Sequence, residues 1–387
     1  MTKPDRHGLS NPPREWAPRI WQGCSAYAWW RLVIHNRFAI SPKYWPIALV
    51  LGHSTLMNSI LGWIKEAITR GEPAKTPLKS DPVFILGHWR TGTTLLHELL
   101  IQDPAHHYPT TMQCMSPNHA TVTEPVFRRL LNWLLPSRRP MDNMAAGWNL
   151  PQEDEFALCM LGLPSPYLSI AFPNHAPMDE AAYELDDLGP KGQQRWKAGF
   201  LGFLREISWK DQRRLVLKSP THTFRVKHLL QMFPNAKFIH LYRDPYVVYP
   251  STINLWKTLQ LTHGMQVPRF EGLEHQVFET FLRMHKALDA ARPLFAPHQF
   301  VEIRYEDLVA DPAAQLEGIY RQLNLGDFET VRPHVEGYLE KSKSYKTNQY
   351  KPLGAELVSD INRRWGHLIR KQGYPVRGTQ AQPLQAS

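Results

Sequence analysis

Four short apolar runs, each bounded by turn-forming or charged residues, mark the chain from residue 83 onward. They are Val83-Phe84-Ile85-Leu86, Arg214-Leu215-Val216-Leu217-Lys218, Lys237-Phe238-Ile239-His240-Leu241 and Phe300-Val301-Glu302-Ile303. Runs of this length with consecutive apolar positions fit strands buried on both faces. Between them the apolar positions recur at helical spacing, over 93–102, 224–232 and 278–291, and again over 359–371 near the end. Strands alternating with helices predict an α/β fold with a P-loop-like parallel sheet flanked by helices on both faces.

Upstream the pattern changes. Residues 1–78 are helical in character and rich in aromatics, and Arg70-Gly71-Glu72-Pro73-Ala74-Lys75-Thr76-Pro77 reads as a linker. The expectation is an N-terminal helical extension over 1–78, a main domain over 79–375 and a disordered tail over 376–387. Within the main domain, 111–211 has helices and many prolines but little strand character, and reads as a mostly helical insertion. Residues 47–64 form the most apolar stretch. At helical spacing Leu49, Leu56, Ile60 and Ile64 make an apolar stripe, and Gly52, Thr55, Ser59 and Gly62 make a stripe of small residues that permits close packing. Trp29, Trp30, Tyr44, Trp45, Arg31, Arg37 and Lys43 lie nearby. A helix packed on the main domain and a helix lying on a membrane surface both fit. His53, Ser54, Asn58 and Ser59 make it a poor spanning segment.

Composition narrows the chemistry. The 387 residues carry 45 Lys and Arg against 35 Asp and Glu, a formal net charge of +10. An anionic cofactor, substrate or membrane surface would account for that excess. The basic residues are dispersed, in pairs such as Arg128-Arg129 and Arg138-Arg139, without a nucleic-acid motif, so nucleic acid is not the expected partner. Three widely spaced cysteines, Cys24, Cys114 and Cys159, fit neither a disulfide framework nor a metal site. The first 25 residues are polar, with no apolar signal-peptide core. A cytoplasmic protein, with a place at the membrane surface left open, is the expectation.

The first run leads into Gly87-His88-Trp89-Arg90-Thr91-Gly92-Thr93-Thr94. Strand, glycine turn and helix form a phosphate-binding unit, and Gly87-x4-Gly92-Thr93-Thr94 nearly matches the ATP loop G-x-x-x-x-G-K-[ST]. Thr93 stands where that loop has its lysine, which weakens an ATP reading. Arg90 puts a cation on the loop itself. This segment resembles the 5′-phosphosulfate loop of the sulfotransferase superfamily, usually [KR]-[ST]-G-T-T. A second element supports the resemblance: Arg243-Asp244-Pro245 after the third run, with Ser251 eight residues beyond Arg243. The superfamily binds the 3′-phosphate of its donor with an Arg and a Ser at that separation. Lys218-Ser219-Pro220, Leu95-Leu96-His97-Glu98 and Arg304-Tyr305-Glu306-Asp307 are similar to elements of a broad branch with many bacterial members.

The resemblance covers about residues 81–325 and implies transfer of a sulfuryl group from 3′-phosphoadenosine 5′-phosphosulfate (PAPS) to a hydroxyl or amine of a small-molecule, lipid or glycan acceptor, releasing PAP. It implies donor contacts from Arg90, Thr91, Gly92, Thr93, Thr94, Arg243 and Ser251, with Ser344-Tyr345-Lys346-Thr347-Asn348-Gln349-Tyr350 a weaker match to a last donor loop. Arg90 would stabilise the leaving group, and Lys218 would polarise the sulfate or sit in a plain salt bridge. The insertion over 111–211 would shape the acceptor side. No metal is expected. The histidine base of cytosolic members has no counterpart, because Ser219 or Pro220 stands there. Glu153 and then Asp154 in Pro151-Gln152-Glu153-Asp154-Glu155 are the candidates for the base, although such a cluster also suits a helix N-terminus. His119 and His222 remain further candidates. Two other readings stay open: a P-loop nucleotide kinase or NTPase, disfavoured by Thr93, and a non-catalytic PAP-binding scaffold at a membrane. Oligomeric state is not legible.

Overall fold

The computed structural model describes residues 19–131, 147–342 and 352–378. The segment 344–350, Arg138-Arg139 and the tail from residue 379 lie outside them. The chain forms two compact units. Met1–Ser80, His107–Leu215 and Trp256–Glu271 make up the first, and Asp81–His106, Val216–Leu255 and Gly272–Ser387 the second.

The four apolar runs are strands: β1 Val83–Leu86, β3 Arg214–Lys218, β4 Lys237–Tyr242 and β5 Phe300–Arg304. A two-residue strand, β2 His106–His107, completes a five-stranded sheet of order β2-β3-β1-β4-β5. β2 carries no apolar run, so the pattern gives no sign of it. β1 pairs in parallel with β3 and β4, and β4 in parallel with β5. The α/β fold with a P-loop-like parallel sheet is therefore as expected.

The strands are packed on both faces over most of their length, which is why they are mainly apolar. Val83, Ile85, Ile239, Leu241 and Val301 pack with Leu96, Leu99 and Leu100 of the helix Thr93–Leu100 and with Leu316, Ile319 and Leu323 further on. Each such side chain contributes about 1.5–3 kcal/mol when fully buried. On the other face Phe84 stacks on Phe238 at 5.3 Å between ring centroids. The edge of Phe84 also meets His222 at 5.2 Å. A separate aromatic cluster joins Phe281 to Trp365 at 4.0 Å and Phe278 to Tyr249 at 4.5 Å.

The first unit holds α1 Ala26–His35 and α2 Trp45–Thr69. The small-residue stripe of α2 is its packing side. Thr55 is fully buried, the Ala26 amide donates to Ser59 Oγ at 2.9 Å, and Asn58 Nδ2 donates to the carbonyls of Gln22 and Cys24 at 2.6 and 3.0 Å. The apolar stripe faces outward, with Leu49 72% and Leu56 50% exposed. The expected linker contains a helical turn, Glu72–Lys75. Cys24, Cys114 and Cys159 are all buried, and none is in a disulfide among the described residues.

Candidate active site

β1 and β4 lie side by side, and the strand order reverses between them: from β1 the chain goes to β3 on one side, then returns to β4 on the other. Ligands of open parallel sheets bind beyond the carboxyl ends of strands at such a reversal. The loops after Leu86 and after Tyr242 leave the sheet there, since Leu86 pairs with His240.

The first loop is tightly constrained. Gly87 has φ +148°, its amide donates to Thr223 Oγ1 at 2.9 Å, and a Cβ would lie 2.5 Å from the Leu241 carbonyl oxygen. Gly92 has φ +96° and a Cβ there would fall 2.2 Å from the Tyr305 ring, so only glycine fits. Arg90 adopts φ +71°, a left-handed conformation that costs a non-glycine residue about 1–3 kcal/mol and is concentrated at functional sites. Thr91 Oγ1 donates to the His88 carbonyl at 2.8 Å and closes the turn. The loop then runs into the N-terminus of Thr93–Leu100, where unpaired backbone amides favour an anion.

The second loop meets the first. Ser251, 2% exposed on the helix Pro245–His263, accepts from Arg90 Nε at 2.9 Å. Arg243 Nη1 lies 3.4 Å from the Arg90 carbonyl oxygen, and its guanidinium sits 4.0 Å over the Tyr305 ring. Thr252 Oγ1 is 3.4 Å from the Trp89 carbonyl oxygen. Two guanidinium groups, a hydroxyl and a helix N-terminus thus gather in one place, a donor set suited to phosphate and sulfate oxygens. Asp244 starts the helix by accepting from the Tyr246 amide at 2.9 Å, and it is held from outside by Arg377 Nη2 at 2.7 Å. Burial raises the Asp244 carboxyl pKa, and Arg377 opposes the shift. Sequence reasoning missed Arg377 and Thr223, because each reaches the site from far along the chain.

Lys218, at the end of β3, is 2% exposed and stands in register with Ile85 of β1. It precedes the turn Pro220–Phe224 that supplies Thr223. His222 in that turn is fully buried against Phe84.

The acidic cluster belongs to the first unit and starts the helix Asp154–Met160. Asp154 and Glu155 are fully buried, and Ser165 Oγ donates to Glu155 at 2.5 Å. Glu153 is half-buried and accepts from the Tyr167 hydroxyl at 2.7 Å. His119 is fully buried, with Nδ1 2.6 Å from Thr123 Oγ1 and Nε2 3.2 Å from Asn58 Oδ1. Burial pushes its pKa down to about 4. Both nitrogens are engaged in packing the first unit. Among the described residues no group of three or more His, Cys, Asp or Glu could hold a metal ion.

A sequence profile of the Sulfotransferase family matches residues 82–329. The omega-hydroxy-beta-dihydromenaquinone-9 sulfotransferase Stf3 of Mycobacterium bovis is 45% identical over 361 residues, covering 93% of this chain and 92% of its own. Human carbohydrate sulfotransferase 6 is 23% identical over 327 residues, 74% of this chain and 75% of its own. The crystal structure of sulfotransferase STF9 from Mycobacterium avium shares the fold, with a TM-score of 0.66 at 20% identity over 96% of this chain and 95% of that one.

The loop also carries a pH-sensitive element. His88 is 2% exposed, and its Nδ1–H donates to the Trp89 carbonyl at 3.0 Å. Burial lowers its pKa to about 4, against the partial opposition of that hydrogen bond. The unfolded chain therefore binds more protons than the folded one between about pH 6.5 and 4, so stability falls as pH drops through that window. His88 contributes at most about 1.4 kcal/mol per pH unit to that slope. In urea unfolding at stepped pH, His88→Gln is expected to flatten the slope relative to wild type. An unchanged slope would show that His88 is not held neutral in the fold.

Proposed function

The chain belongs to the sulfotransferase family, and on that premise we propose that its two joined loops hold PAPS, the sulfate donor that the family implies. The chain is an enzyme that transfers a sulfuryl group. The observation that carries the donor assignment is the hydrogen bond from Arg90 to Ser251, which ties the loop proposed for the 5′-phosphosulfate to the residue proposed for the 3′-phosphate. In this reading the amides of 91–94 and the Arg90 guanidinium hold the phosphosulfate. Arg243 and Ser251 hold the 3′-phosphate, and Lys218 helps neutralise the transferred group. During transfer the acceptor oxygen forms a bond to sulfur, and the bond from sulfur to the bridging oxygen breaks. Arg90 stabilises the charge that develops on that oxygen. Glu153 takes the acceptor's proton. Its half exposure favours it over fully buried Asp154. A kinase reading gains no observation, since Thr93 stands where ATP loops need lysine.

For the acceptor we propose the hydroxyl of an apolar lipid. The relative at 45% identity is named for a hydroxylated menaquinone derivative. This chain has the surface to meet such a molecule at a membrane. Of the 17 exposed large apolar residues described, 12 lie between Tyr27 and Ile68, among them Trp30, Leu49, Trp63 and Ile68. An 18-residue window within Pro42–Thr69 has a mean hydropathy of 1.4, but α2 also buries Asn58 and Lys65, the latter paired with Glu206 at 3.0 Å, on its inner side. A helix polar on one side and apolar on the other suits the membrane surface better than its interior. Residues 47–64 therefore make a peripheral contact, from the cytoplasmic side.

Three measurements test these assignments. PAP is expected to raise the melting temperature of the purified protein, as a ligand of the native state does, whereas MgATP leaves it unmoved; the reverse pattern would defeat the donor assignment. Arg90→Ala and Glu153→Gln are expected to lower sulfuryl transfer from radiolabelled PAPS about 100-fold or more while retaining PAP binding better than turnover. Unchanged turnover would remove that residue's role. The full chain is expected to float with anionic phospholipid vesicles on a density gradient, and Leu49→Glu with Trp63→Glu to abolish flotation. A wild-type chain that stays at the bottom would end the membrane reading.

A further inference from the structure

The first unit contains a cavity of about 680 Å³ between α2 and the helix Gly189–Ser208. That volume lies within the roughly 300–1,000 Å³ of small-molecule sites. Three glycines line it, Gly62 on α2 and Gly199 and Gly202 on the other helix, and at Gly202 the missing side chain leaves open space. Leu163 and Phe203 supply apolar wall.

The charged groups of the wall are paired with one another, and its hydroxyls are hydrogen-bonded within the protein. Lys65 Nζ binds Glu66 at 2.7 Å and Glu206 at 3.0 Å, and Glu206 also accepts from the Thr121 hydroxyl. Ser25 Oγ accepts from the Ala28 amide at 3.1 Å, and Ser59 Oγ from the Ala26 amide at 2.9 Å. The Tyr27 hydroxyl accepts from Arg195 at 3.0 Å. A wall whose charges are paired with one another gives an ionic ligand nothing to bind, so the cavity suits an uncharged, apolar occupant. Leu56 and Trp63 line the cavity and also belong to the exposed apolar side of α2, at 50% and 72% exposure. The exposed apolar side of α2 is thus continuous with the cavity wall through these two residues.

We infer that this cavity receives the apolar chain of a membrane lipid, an inference that rests on the lipid-acceptor reading above and adds a binding site to it. The chain leaves the bilayer along α2 and is sheltered between the two helices.

Gly202 offers a clean test. A Cβ at this position meets nothing within 4 Å, so a leucine enters the cavity without a backbone clash, and leucine favours a helix over glycine. The full-length wild-type, Gly202→Ala and Gly202→Leu proteins are titrated with dansyl-labelled farnesol below its aggregation concentration. The wild type is expected to bind the probe saturably, Gly202→Ala more weakly, and Gly202→Leu at least about ten-fold more weakly. Stabilisation by PAP stays the same in all three. Equal binding by wild type and Gly202→Leu, or no saturable binding by wild type, overturns the inference. Vesicle flotation of the same proteins separates the two readings. Flotation without a Gly202→Leu effect removes the cavity site and leaves the membrane contact standing. A Gly202→Leu effect without flotation supports the cavity and removes the membrane contact.

Discussion

The Arg90–Ser251 hydrogen bond is the joint on which the proposed donor site depends. It can form only because two separate demands are met together. The loop after β1 must turn sharply enough to bring Arg90 round, which requires φ values of +71° at Arg90 and +96° at Gly92 in a space closed by the Tyr305 ring. The helix after β4 must start at once, so that Ser251 lies within reach in its second turn. Pro245 and the Asp244 side chain set that start, and Arg377 keeps the Asp244 carboxylate in place. The parallel pairing of β1 with β4 holds the two loops at one end of the sheet. Strain in the loop is thus supported by the most regular part of the second unit.

Much of this was legible in the sequence because it is local. The strands are buried along most of their length, with Glu302 the exposed exception, so a short apolar run was sufficient to mark each. The loop's glycines and Arg90 are adjacent, and Arg243 and Ser251 are a fixed distance apart along one strand–helix element. What escaped the sequence is contributed at long range. Thr223 holds the Gly87 amide from 136 residues away, and Arg377 reaches Asp244 from 133 residues away. The two-residue strand β2 is too short to leave a pattern. The sequence could not separate Glu153 from Asp154, because adjacent carboxylates differ only in which one the fold buries.

The N-terminal helices show how a pattern can be read correctly and still leave its direction open. Two stripes on α2 were apparent, one apolar and one of small residues. Burial resolves them: Thr55 and Asn58 pack inward, and Leu49, Leu56, Trp63 and Ile64 point out. The exposed apolar side is what supports the lipid acceptor proposed for this chain. The glycines that make the cavity are silent in sequence, since a glycine that leaves space looks the same as one that permits close packing. Gly202, with nothing within 4 Å, and Gly199, whose Cβ would strike Leu163 at 2.5 Å, lie one turn apart on one helix and differ in that respect.

In the proposed function the two loops act as one clamp on the donor's two phosphate ends. A double-mutant cycle of Arg90→Ala and Ser251→Ala, read as PAP affinity by calorimetry, tests it most directly. If the residues work as a unit, the losses are non-additive, with a coupling energy of about 0.5–3 kcal/mol. Additive losses, with coupling near zero, would mean that the loops bind their phosphates independently and would contradict the account.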